Sequence, residues 1–401
     1  MKSVTETATL SRLMGFVIAL AAIFLAPSPA AAQFDTRSDG SDGAFNPTAN
    51  YQFDLSQAAS LDSQGNPARW DTPSPVPLKG VYDKDQWIIV FKFTSVNIPS
   101  GVTVTFKNHP SNPPVVWLVQ GAVTIAGTLN LNGSWNTTAG SKYPLAGPGG
   151  FRGGRAFDYW TKAFGPGASL TNANYGGATS AYMNPGCFPL VGGSGASDGA
   201  QGGGGGAILI AAGVSVSIPG QIQAFGGAYS ASGGMVRIAA PDVSGAGTII
   251  ARAWSSEESF MLGRVRIEAS TVNLPPTIPM YSSGPLGTQI KFLRDDFTPA
   301  VRVVSVGGVA APADPQARFE LPGEVVVATR SVQAVIECRN VPTNSTVKVY
   351  FRSASNGGTH TVVNATLQSG NQALSTWVAT GDLGAPAGYS TVQAHVILPT
   401  P

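Results

Sequence analysis

The chain has 401 residues with 24 basic and 22 acidic side chains, a net charge of +2, and only 11% charged residues against a typical share of about 25%. That balance gives no electrostatic case for binding nucleic acid or an anionic membrane, and the 43% hydrophobic content excludes a disordered chain. Glycine is abundant at 49 residues, yet no G-X-Y period runs through the chain, which excludes collagen.

Residues 1–32 carry an export signal. Lys2 and Arg12 precede the apolar run Met14–Ala26, Pro27 and Pro29 break it, and Ala30-Ala31-Ala32 fits a small-residue cleavage site. The run has 13 residues, short of the ~20 that span a bilayer. No second run of spanning length occurs, so the mature chain is expected to have no transmembrane segment. Its address is secreted, extracellular or at the cell surface, with the periplasm as the alternative. Residues 33–92, poor in charge and rich in Pro-flanked turns, are expected to cap the N-terminal end of a repeat region that begins at residue 93. The stretch Asp35–Gly43 looks superficially like a calcium loop. It lacks the alternating carboxylates and terminal Glu of an EF-hand, so turn chemistry is the expectation.

An internal repeat organises residues 93–275. Val123-Thr-Ile-Ala-Gly-Thr-Leu129, Val216-Ser-Ile-Pro-Gly-Gln-Ile222 and Val243-Ser-Gly-Ala-Gly-Thr-Ile249 match one another, and Val96–Val104 matches with one residue added. A second strand pattern recurs as Trp117–Val119, Ile208–Ile210, Val236–Ile238 and Val265–Ile267. Gly101 and Gly127 are 26 residues apart, Gly220 and Gly247 are 27 apart, and an insertion separates the two pairs. Alternating strands at that period predict a short parallel β-helix, a solenoid whose coils must stack to bury their apolar face. Stacking is expected to align Trp117, Ile208, Val236 and Val265 in one inward column and Val119, Ile210, Ile238 and Ile267 in the next, with Leu118, Leu209, Arg237 and Arg266 outward.

The insertion, residues 133–206, holds ten aromatic residues and ends in five consecutive glycines, Gly202–Gly206. Its candidate binding residues are Trp135, Tyr143, Arg152, Arg155, Tyr159, Trp160, Tyr175 and Tyr182, because flat amphipathic rings suit stacking on sugars or on another protein. The competing reading folds these rings back over the outer wall, covering Leu118 and Leu209. Gly202–Gly206 precedes a strand and lacks the Lys-Ser/Thr of a P-loop, so it is no phosphate cradle.

From about Val301, seven short alternating strands lie between turn signals, which predicts a C-terminal Ig-like β-sandwich over 285–399. In it Val347, Val349 and Phe351 are expected inward. The only cysteines are Cys187 and Cys338. Cys338 reads as a buried free thiol or as one half of an inter-domain bridge. The sequons at Asn132, Asn136, Asn344 and Asn364 matter only in a host that glycosylates them.

Gly40-Ser-Asp-Gly-Ala-Phe-Asn-Pro47, then Phe93–Phe106, then Val119–Gly133 and a glycine-rich insertion resemble a broad group of uncharacterised bacterial secreted proteins with glycine-rich β-helical repeats. The resemblance spans residues 40–270 and carries no catalytic residues. It implies an exported bacterial surface or matrix protein.

Catalytic constellations are weak. Asp242, Glu257, Glu258, Glu268, Asp158 and Asp198 do not stack at equivalent repeat positions, and Glu268 reads as a surface ion pair with Arg264 and Arg266. Arg155, Asp158 and Lys162 are the best remaining trio. His109, His360 and His395 read as solvated surface residues with no triad or metal spacing. The sequence thus favours a non-catalytic adhesion or matrix protein with no cofactor and no metal. Its partners would be a polysaccharide, another surface protein, or further copies of itself. A polysaccharide lyase or hydrolase, and a subunit of an extracellular filament, are the alternatives.

Overall fold

The computed structural model describes residues 34–135, 144–153, 165, 187, 190–196, 202–227, 231–253, 262–275, 281–293, 299–311, 327–353, 360–383 and 390–399. Residues 1–32, where the sequence leads to the expectation of an export signal, lie outside them. The described chain is all-β, with one 3-10 turn at Leu55–Gln57 and no α-helix. None of its helices is long and apolar enough to cross a membrane.

The first part contains β1 (Gly43–Phe45), β2 (Tyr51–Asp54), β3 (Val81–Asp83), β4 (Ile88–Ile98), β5 (Thr103–Lys107), β6 (Val115–Val119), β7 (Val123–Ile125) and β8 (Thr128–Asn130). After the insertion come β9 (Ala207–Ala212), β10 (Ser215–Ser217), β11 (Gln221–Gln223), β12 (Met235–Ala239), β13 (Asp242–Ser244), β14 (Thr248–Ile250), β15 (Arg264–Glu268), β16 (Thr271–Asn273) and β17 (Tyr281–Gly284). Three rows of parallel strands result: β4-β6-β9-β12-β15-β17, β4-β7-β10-β13-β16, and β2-β5-β8-β11-β14. The eleven-residue β4 starts two rows, since Ile89–Phe93 pairs with β6 and Val96–Ile98 with β7. It begins inside the segment 33–92, whose β1 and β2 also pair in parallel with β4 and β5. β17 adds a parallel strand beyond Pro275.

The register corrects the expected columns. Ile89, Val115, Ile208, Val236 and Val265 share one column, and Phe91, Trp117, Ile210, Ile238 and Ile267 the next. Trp117 therefore sits beside Ile210 rather than Ile208. A slip of two residues preserves which face each side chain points to, so alternation fixes the face and leaves the register open. In the second row Val96, Val123, Val216 and Val243 align, all buried, while Val272 at the end of the column is 41% exposed. These columns form one core cluster, in which each fully buried Val or Ile contributes about 1.5–3 kcal/mol.

The corner glycines are required by close approach. An added Cβ at Gly220 would lie 2.1 Å from the Gly127 carbonyl oxygen, and one at Gly247 would lie 1.9 Å from that of Gly220. The leader Gly40–Pro47 is held from within. The buried Asp42 carboxylate accepts the Lys92 N–H at 2.7 Å and the Gly80 N–H at 3.3 Å.

The tail comprises β18 (Ala300–Val306), β19 (Val309–Ala310), β20 (Ser331–Arg339), β21 (Thr346–Ser353), β22 (His360–Asn364), β23 (Thr366–Gly370), β24 (Leu374–Asp382) and β25 (Ser390–Ile397). Antiparallel pairing gives sheets β19-β18-β20-β24-β23 and β22-β21-β25. Val347, Val349 and Phe351 of the second sheet share one buried cluster with Val332, Ile336, Cys338 and Trp377 of the first. β19 and β23 are strands that the alternation did not reveal.

Candidate binding surface

The described glycines between residues 131 and 264 do not form an open loop. Along Gly203–Gly206 the backbone N–H groups donate in turn to Ser134 (3.0 Å), Phe151 (2.9 Å), Ser232 (2.9 Å) and Leu131 (2.8 Å). The fourth bond thus returns to the segment that received the first. That three-residue rotation is the period of the polyproline II helix, which has no internal hydrogen bonds and must satisfy its amides laterally. Gly193 and Ala196 donate to Gly205 and Gly202, again three residues apart. Ser232, Gly234 and Met235 donate to Ser194, Ala224 and Gly206. The result is a lattice of buried extended segments in which neighbouring backbones touch. An added Cβ would lie 1.8 Å from a carbonyl oxygen at Gly204 and at Gly234, and 2.0 Å at Gly133.

Chain direction is set by the same bonds. Segments 131–134, 150–153, 192–196, 224–227 and 250–253 run away from the strands, and 144–149, 202–206, 231–235 and 262–264 return to them. The ends of these segments meet at the far side of the lattice. Trp135 bridges to Gly202, the Gly153 N–H donates to Pro144 (3.1 Å), that of Ala196 to Gly202 (2.9 Å), and that of Gly227 to Gly203 (2.8 Å). The described residues Trp135, Pro144, Gly153, Ala196, Gly202 and Gly227 therefore lie together at one end.

Of the sequence candidates, Trp135 stands 56% exposed at this end, beside Leu145 at 58%. The two flank Ser134, whose N–H and Oγ both donate to the Leu145 carbonyl at 2.7 and 2.9 Å. Arg152 is half-buried, with its carbonyl oxygen against Gly195. Tyr143, Arg155, Tyr159, Trp160, Tyr175 and Tyr182 lie outside the described residues, as do Asp158, Lys162, Asp198, Glu257 and Glu258. Sequence reasoning saw only a glycine-rich insertion at 133–206 and no lattice. The pairs Gly226-Gly227 and Gly233-Gly234 marked its continuation into the next coil. Beside them the guanidinium of Arg252 lies 5.3 Å from the ring centre of the buried Phe225.

The outward face of β6, β9 and β12 is a second core. Leu118 and Leu209 are fully buried with Phe34, Trp70, Cys187, Leu190 and Ile290. Phe34 is held there because Asp35 bonds in parallel to Thr288 and Ile290, both at 2.9 Å. Two outward charges are buried with them. The Arg237 guanidinium donates to both oxygens of Glu268 at 3.1 and 2.9 Å, and Arg266 Nε donates to Glu268 at 2.6 Å. With Arg237 and Glu268 only 8% and 12% exposed, this corrects the expected surface pair, because burial makes mutual pairing obligatory. Lys92 on β4 is similarly enclosed, donating to the Thr72 carbonyl and lying 3.6 Å from Asp39. Burial holds its pKa below the usual lysine range.

Both thiols are free and buried in separate clusters. Burial pushes Cys187 up to about 12 and Cys338 up to about 11, so neither is a nucleophile near neutrality. His109 is half-buried rather than solvated. Its ring lies 4.2 Å from that of Tyr82, its Nδ1 accepts the Ser111 N–H at 3.1 Å, and burial lowers its pKa. His395 is exposed on β25. The Asn132 side chain is engaged at both ends, by Gln223 (3.1 Å) and the Phe225 N–H (2.7 Å), so this sequon is not presented for modification. In the Asp35–Gly43 stretch, the Asp35 and Asp39 carboxylates accept backbone N–H groups two residues on, as turns do. Among the described residues no three His, Cys, Asp or Glu side chains gather as a metal site would require. No family model, curated protein or solved structure matches the chain.

Proposed function

We propose that the chain is a secreted, non-catalytic surface or matrix protein: a short parallel β-solenoid with an Ig-like β-sandwich tail, binding glycan or protein at the Trp135 end of its glycine lattice. The convergence of the segment ends around exposed Trp135 and Leu145 carries this reading. Recognition segments rooted on a rigid scaffold form a binding surface at little ordering cost to their stems. Tyr143, Arg155, Tyr159, Trp160, Tyr175 and Tyr182, which lie in the same insertion of the sequence, join Trp135 and Arg152 as the proposed contacts. In-register parallel columns support the solenoid, and the cluster shared by the two tail sheets supports the sandwich.

The test is binding of residues 33–401 to a panel of polysaccharides, with release of reducing ends followed in parallel. Binding without release, weakened about tenfold in Trp135→Ala, is the expected result, since loss of one ring stack is worth roughly 1.5 kcal/mol. Release of reducing ends contradicts the non-catalytic reading. Binding unchanged in Trp135→Ala and in Trp160→Ala moves the contact surface elsewhere.

A further inference from the structure

The outer faces of the two other strand rows carry a different chemistry. In the second row Asn97, Thr124, Ser217, Ser244 and Asn273 align rung upon rung. In the third, Thr103 and Thr128 align, followed by Gln221 and Thr248. All nine are exposed or half-exposed, and all are uncharged hydroxyl or amide residues. Asn97 is oriented by a hydrogen bond from its Nδ2 to Asn46 Oδ1 at 2.8 Å. Thr124, Ser217, Ser244 and Asn273 make no side-chain hydrogen bond to any described residue. The strands of Thr124, Ser217 and Ser244 are fixed by Val123, Val216 and Val243, all fully buried on the opposite face. Parallel pairing spaces the rungs ~4.8 Å apart, so five rungs present unfilled donors and acceptors over about 19 Å.

The chemistry of this face selects its partner. Polyanions need Lys or Arg, and Asp242 on the adjoining column is the one charge on the β10-β13-β16 face. A membrane surface needs apolar or basic side chains. A protein interface centres on aromatic, Met or Arg anchors, and these columns contain none. An uncharged hydroxylated polymer matches a face that both donates and accepts at regular intervals.

We propose that the Asn97–Asn273 column binds an extended neutral polysaccharide laid along the strand-stacking direction, one hydroxyl or amide contact per rung. This surface is separate from the Trp135 end and does not depend on it. Many weak contacts repeated along one polymer make affinity rise with polymer length.

The experiment is affinity electrophoresis and calorimetry of residues 33–401 against amylose, cellulose-derived and mixed-linkage β-glucan oligosaccharides of increasing length, with polygalacturonate and chitosan as charged comparisons. At least one neutral series should bind, with affinity rising until the oligosaccharide spans the five rungs and then levelling. The triple variant Thr124→Lys, Ser217→Lys, Ser244→Lys should lose at least tenfold in affinity. The milder Thr124→Val, Ser217→Ala, Ser244→Ala should lose part of it, with an unchanged urea midpoint in both. Trp135→Ala should retain the length dependence, which separates this surface from the Trp135 end. Failure of every neutral series, tighter binding of a charged polymer, or full affinity in both triple variants overturns the proposal. So does a parent dimer that the lysines dissociate, because the face would then belong to a second copy.

Discussion

At the scale of single residues, the polar groups that matter most are ones the sequence left ambiguous. Lys92 lies between Phe91 and Phe93 in an otherwise apolar run, and only the fold shows Asp39 and the Thr72 carbonyl waiting for it. His109 and Glu268 read as solvated because alternation distinguishes inward from outward but does not show what covers the outer side. Asp54 gives a pH prediction. Its hydrogen bond from Lys107 at 2.7 Å, with a second from Ser56, holds its pKa down to about 2 from an ordinary 3.8. A carboxyl whose folded pKa is depressed stabilises the fold above the unfolded pKa and loses that contribution as pH falls through the folded one. Denaturation midpoints should therefore decline between about pH 4 and pH 2, and Asp54→Asn should flatten that decline. Asp42 acts in the opposite sense. Burial raises its pKa, so the folded state takes up its proton first and gains stability from this group as the pH falls toward 3.8.

At the scale of elements, the repeat was legible because Val96 and Val123, and again Val216 and Val243, stand 27 residues apart with a glycine at each corner. Their partners in the first row were placed two residues out of register at β6, whose first residue is Val115 rather than Trp117. The glycine lattice was hidden for another reason. Its segments have no alternation and no apolar face, and their cohesion comes from backbone amides and from the absence of side chains. A glycine run in sequence looks the same whether it is a flexible linker or a close-packed lattice. Substitution separates the two. Gly204→Ala puts a methyl group 1.8 Å from the Gly193 carbonyl oxygen and should lower stability by about 3 kcal/mol or more, read as a drop in the urea midpoint. Gly287→Ala, whose nearest neighbour would be 3.4 Å away, should change it little. Equal midpoints for the two variants would contradict the lattice.

At the scale of the whole molecule, segments distant in sequence close the outer wall. Phe34 and Ile290 meet over Leu118 and Leu209, joined by the Asp35–Gln289 bridge. Sequence reading divided this region into cap, repeat and insertion. The second core draws on all three and on residues beyond Pro275, because the covering residues Phe34, Trp70, Leu190 and Ile290 are isolated apolar positions without a period. The all-β class and the change from parallel to antiparallel strands were readable from alternation and spacing, as the strands on either side of Gly284 show. The convergence of described segment ends beside Trp135 was not, since it depends on lateral hydrogen bonds among glycines.

The most direct measurement is amide hydrogen exchange across residues 190–206 and 224–235 of the mature chain. If these glycines are packed and laterally bonded, Gly193, Gly203–Gly206 and Gly234 should exchange as slowly as the strand amides of β9 and β12, because each glycine is buried and its N–H is held by the carbonyl of a neighbouring segment. Exchange at the rate of an unstructured glycine linker, with β9 and β12 still protected, would contradict the lattice and with it the rigid base on which the binding surface is proposed to stand.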